Sequence, residues 1–130
     1  MATCVATIGR PSHDPRHDPV LRGLRAGAQL LDVPLQKGLL IVVEGTIPRG
    51  TGMGTVSAGY AAGLGAAVRH AKKKPSASLM LDALVPLGGD PAHGAASLPG
   101  GLCATVQLSS PQATVLEQRV LPFPIHRDWH

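Results

Sequence analysis

The chain has 130 residues, 44% of them apolar, and its formal charge at neutral pH is +4. That length fits one domain with a single core, and because Trp129, Tyr60 and Phe123 are the only aromatic residues, it excludes a module that stacks bases on aromatic platforms. The charge is uneven: the segment 1–74 holds ten Lys/Arg against four Asp/Glu, and the segment 75–130 holds two against four, so an anionic partner is expected to meet the first half.

Thr3 to Ile8 is β-branched and reads as a short strand, followed by the turn-rich stretch Pro11 to Pro19. A helix is expected next, with Asp18 as its cap, Pro19 in its first turn, and Val20, Leu21, Leu24, Ala28 and Leu31 at helical spacing. Leu39 to Val43 is a continuous apolar run, as expected of a buried strand. The glycine-rich loop Arg49-Gly50-Thr51-Gly52-Met53-Gly54 leads into a helix from Thr55 to about Lys73. Pro75 stops it, Leu79 to Leu87 shows no decisive period, and Gly88 to Gly101 reads as a loop. Leu102 to Leu108 and Thr114 to Leu121 alternate as paired strands, joined through Ser109-Ser110-Pro111.

This order predicts an α/β fold: a small mixed sheet with two helices and a C-terminal β-hairpin. Residues 1–121 are expected to form the domain and 122–130 an extended arm. Gly59 and Gly63, four apart and flanked by alanines, predict a close approach of this helix to the domain's own sheet.

The strongest candidate for chemistry is the strand, glycine-rich loop and helix, because exposed amides at a helix start favour anions and glycine lets a phosphate come close. The candidate ligand-binding residues are Arg49, Gly50, Gly52, Met53, Gly54 and Thr55. Their spacing is neither G-x-G-x-x-G nor a P-loop. Arg69, Lys72, Lys73 and Lys74 form a basic patch for an acidic partner or for weak, nonspecific nucleic-acid contact. The His-Asp-Pro repeat from His13 to Pro19 and the cluster His126, Asp128 and His130 invite a metal, but Pro15 disfavours a helical clamp and zinc needs three or four fixed ligands. No metal or cofactor is expected. Cys4 and Cys103 read as reduced thiols of a cytoplasmic protein, no membrane span is expected, and self-association stays open.

From Asp18 to Val56 the chain resembles part of the purine nucleoside and methylthioadenosine phosphorylase family. The residues that carry the likeness are the helix Asp18 to Leu31, the turn Val33 to Gly38, the strand ending Val42-Val43-Glu44-Gly45, and Gly52-Met53-Gly54-Thr55-Val56. Thr46 stands where the family has Pro and Gly54 where it has Ser. The resemblance implies a truncated or diverged relative with Met53 near a ribose, Thr55 nearby, and a site for phosphate and a nucleoside. The composition alone supports a noncatalytic binding domain that meets an anionic ligand through its basic half. A third alternative, a marginally folded chain without specific activity, is motivated by 16 Gly and 12 Pro beside three aromatics.

Overall fold

The computed structural model describes the backbone of residues 4–7, 15–36, 38–108 and 117–124, and the side chains of 16–36, 38–106 and 119–124. In chain order these form β1 (Cys4–Thr7), a 3-10 turn (Pro15–His17), α1 (Pro19–Leu30), β2 (Leu40–Val43), α2 (Thr55–Ala71), α3 (Ala77–Leu84) running into a 3-10 turn (Val85–Leu87), α4 (Pro91–Ser97), β3 (Leu102–Leu108) and β4 (Glu117–Phe123). The α/β class is as expected, with four helices in place of two.

α1 starts as its sequence dictates. The Asp18 carboxylate accepts hydrogen bonds from the amides of Val20 at 2.9 Å and Leu21 at 3.1 Å, which satisfies donors that the first turn leaves orphaned, and Pro19 loses nothing by lacking an N–H there. Leu21, Leu24, Ala28 and Leu31 are buried, while Arg25 and Gln29 face solvent. β1 and β2 flank this helix in the chain and pair in parallel, Cys4 opposite Leu40 and Thr7 opposite Val43, so β1, α1 and β2 make a strand–helix–strand unit.

α1 packs mainly on α2, and the crossing is made by glycine. A Cβ at Gly63 would lie 2.0 Å from the Val20 carbonyl oxygen, and one at Gly23 would lie 2.2 Å from that of Tyr60. The close approach anticipated for Gly59 and Gly63 therefore exists, but its partner is α1 and not the sheet: a Cβ at Gly59 would meet Pro19 at 2.7 Å. Beside this contact the Arg22 guanidinium donates to the Tyr60 hydroxyl at 2.8 Å and lies 5.3 Å from the ring centroid, which gives the buried phenol its partner.

Both stretches left unassigned or read as loop contain helices. α3 is capped by Ser76, whose hydroxyl accepts from the Leu79 amide at 3.2 Å, and buries Leu81 and Leu84 completely. α4 repeats the Asp-Pro start of α1: Asp90 accepts from Ala92 at 2.9 Å and His93 at 3.0 Å, with Pro91 in the first turn. Its Gly94 and Ala95 are buried because the leucines of α3 press on them; a Cβ at Gly94 would come within 2.9 Å of Leu81.

The expected single mixed sheet is two separate two-stranded sheets among the described residues, β1 with β2 and β3 with β4. The reason lies in what covers the hairpin. Cys103 and Val120 pack against a cluster of Tyr60, Ala61, Leu64, Leu81, Leu84 and Ala95, so α3 and α4 already cover its inner face. A second cluster, Leu21, Leu24, Leu31 and Ala67, is joined by Leu39, Ile41 and Val43. β2 is therefore half-buried and not fully buried as its unbroken apolar run implied: Ile41 and Val43 turn inward, whereas Leu40 and Val42 are 65% and 56% exposed. β4 continues through Pro122 and Phe123, which pair with Cys103 and Leu102 although they were assigned to the arm. The connection 109–116 and residues 125–130 lie outside the described residues.

Candidate anion-binding site

Beyond Val43 the chain crosses from the end of β2 to the start of α2 in a loop that folds on one carbonyl. Pro48 accepts hydrogen bonds from the hydroxyls of Thr51 at 3.1 Å and Thr55 at 2.8 Å. Gly50, Gly52 and Gly54 all hold φ between 74° and 76°, the left-handed region in which a Cβ is strained, so the alternating glycines are a backbone requirement. At Gly54 a second constraint applies: a Cβ would stand 2.7 Å from the imidazole Cγ of His93.

Gly54 is also the residue that caps α2, and it offers no side chain for the purpose. The start of α2 thus differs from that of α1, where Asp18 supplies a carboxylate. Backbone N–H groups of Thr55 and its successors keep their partial positive charge without a side-chain acceptor from the cap. This helix start borders a cleft of about 310 Å³. Its walls come from the end of β2 at Val43, the start of α1 at His17 to Val20, and the residues Arg49, Gly50, Thr55, Val56 and Gly59. This is the carboxyl end of a parallel strand pair, between two helix starts, where open α/β folds characteristically hold ligands.

The cleft unites Arg49, Gly50 and Thr55 of the expected ligand-binding set. Gly54 stands at the helix start, while Gly52 and the 64% exposed Met53 lie on the outer part of the loop and do not line it. His17, from the turn-rich stretch Pro11 to Pro19, lines the cleft together with Arg49. The signal that could have found it is topological: if β1 and β2 run parallel, the turns that follow their carboxyl ends must lie side by side. Asp18 also borders the cleft, but the residue is 3% exposed and its carboxylate accepts from its own helix. The arrangement can take a compact anion at the start of α2 and an apolar extension along Val20, Val43 and Val56.

The second basic group lies elsewhere. Arg69 is in the last turn of α2 and Lys72 to Lys74 follow it, so the 17-residue helix separates them from Gly54 by about 25 Å. Lys72 ends the helix with φ +53°, and Lys73 donates from Nζ to the Leu31 carbonyl, closing the end of α1. Arg69, Lys72 and Lys74 are exposed. Among the described residues no group of three His, Cys, Asp or Glu could hold a metal, and no helix is long and apolar enough to cross a membrane. His13, Asp14, His126, Asp128 and His130 lie outside the described residues. Cys103 is a half-buried free thiol whose Sγ donates to the Gly100 carbonyl at 3.4 Å, and the side chain of Cys4 is outside the described set.

Set against known proteins, the chain matches no protein-family model and no curated sequence.

Proposed function

We propose that the protein is a noncatalytic binding domain that takes a small phosphate-bearing molecule in the cleft between β2, α1 and α2. The observation that carries this reading is the convergence of Arg49 and the start of α2, which has no side-chain cap, on one concave site; among its described lining residues the one carboxylate, Asp18, is already bonded to its own helix. The exposed cations at the other end of α2 form a second, less specific surface for an acidic partner or nucleic-acid phosphates, in a protein read as cytoplasmic.

Amide spectra of the labelled protein recorded with inorganic phosphate, with a nucleoside, and with a nucleoside monophosphate test the reading. Phosphate and the monophosphate are expected to shift the amides of Arg49 to Ser57, and Arg49→Ala to weaken binding about tenfold or more, the scale of a lost charged hydrogen bond. Spectra unmoved by all three ligands at low salt would sink the proposal. A diverged nucleoside phosphorylase is the second reading, supported by the likeness over 18–56. It requires the nucleoside alone to perturb Met53 and Thr55, with phosphate strengthening its hold.

A further inference from the structure

A second cleft, of about 320 Å³, runs beside β2 toward the carboxyl end of α2 and, among the described residues, shares only Val20 with the first. Val20 and Leu24 of α1, Leu35 and Leu39 of the connection, Ile41 of β2 and Ala66 of α2 make its walls. Parallel strand pairs ordinarily have both faces covered, yet here the aliphatic side chains Leu40 and Val42 of β2 have no cover among the described residues. The polar groups are few. Gln36 and His70 line the cleft, and no Asp or Glu does so among the described residues. One turn beyond His70 stands Lys73, whose ammonium is fixed on the Leu31 carbonyl at the end of the same aliphatic cluster that walls the cleft. That bond takes one of the three N–H groups an ammonium carries.

An aliphatic channel with Gln36 and His70 in its wall and the Lys73 ammonium three residues beyond His70 suits an amphiphile, and the sign of that charge decides which kind. The Lys73 ammonium, three residues beyond the cleft-lining His70, complements a carboxylate and repels an ammonium. We infer that this cleft binds a free straight-chain carboxylic acid of medium length, its hydrocarbon chain along Leu24, Leu35, Leu39 and Ile41 and its carboxylate at His70 and Lys73. The volume is at the small end of ligand cavities, which favours a short chain over a long one. The site is separate from the proposed phosphate cleft and does not depend on it.

The test is a titration of the full chain with hexanoate, octanoate and decanoate below their micellar concentrations, followed by amide shifts. Shifts are expected at Leu24, Leu39, Ile41, Ala66 and His70, with affinity rising about fourfold per added methylene until the cleft is full. Octylamine is expected to bind at least tenfold more weakly than octanoate. His70→Ala, at an exposed position whose loss leaves the core intact, should weaken octanoate several-fold and leave octanol unchanged. Equal binding of octylamine and octanoate would overturn the assignment, as would shifts confined to Arg49 to Thr55. An unresponsive cleft in a chain that sediments as a dimer would also overturn it, because a second copy would then be the occupant.

Discussion

Gly63 and Gly65 stand two residues apart in α2 and answer opposite demands. Gly63 faces α1 so closely that a methyl group would be 2.0 Å from the Val20 carbonyl oxygen and 2.5 Å from the Leu24 amide nitrogen, both backbone atoms that cannot swing aside. Gly65 has nothing within 4 Å of the same position. Gly63→Ala should therefore force the helices apart and cost at least about 1–3 kcal/mol, as overpacking does. Gly65→Ala should stabilise by about 0.5–1 kcal/mol, because alanine loses less backbone freedom on folding. Urea unfolding of the two variants checks both signs at once, and a loss at both positions would contradict the crossing geometry. The sequence shows a small-residue face here but not its partner, since periodicity locates a stripe and is silent on what lies opposite. Asp18 was legible for the converse reason: a cap acts on amides two and three residues away, and that information is local.

At the scale of elements, α4 is the clearest case of structure borrowed from neighbours. Seven residues cannot sustain a helix alone. It is held by its Asp90 cap, by contact of Gly94 with the leucines of α3, and by a hydrogen bond from the Asp90 amide to the hydroxyl of Ser57, 2.9 Å long, with Ser57 only 4% exposed. Ser57→Ala removes that acceptor within α2 and should cost about 1–3 kcal/mol, the penalty of an unsatisfied donor. Faster amide exchange in 90–97 than in α1 would show the loss to be local, whereas an unchanged stability would mean that water replaces the hydroxyl. α4 escaped the sequence reading because the Asp-Pro signal that begins α1 is followed here by Ala-His-Gly, with no apolar stripe to continue it. β2 misled in the other direction: an unbroken run of Leu, Ile and Val looks fully buried, yet alternate side chains are exposed because one side has no cover among the described residues.

At the scale of the molecule, α2 is the shared wall of two aliphatic clusters, lending Tyr60, Ala61 and Leu64 to one and Ala67 to the other. The α/β class, the parallel-compatible order of the first elements and the hairpin were legible because each rests on short-range pattern. The separation into two small sheets was not, because it depends on which faces α3 and α4 cover. The candidate site was half legible. Arg49, Gly50 and Thr55 belong to one loop and could be named together, while His17 joins them only through the pairing of β1 with β2.

The glycine crossing also determines how the molecule behaves once its chain is cut. Arg49 and Gly50 lie on an exposed loop, so a single break placed between them divides the chain with α1 and β2 on one side and α2 on the other. The interlocked backbones of Gly23, Tyr60 and Gly63 cross that division and need no covalent link to stay in contact. The two pieces should therefore elute together from a sizing column in native buffer and part in denaturant, and separately produced halves should recombine into a complex with the helical signal of the uncut chain.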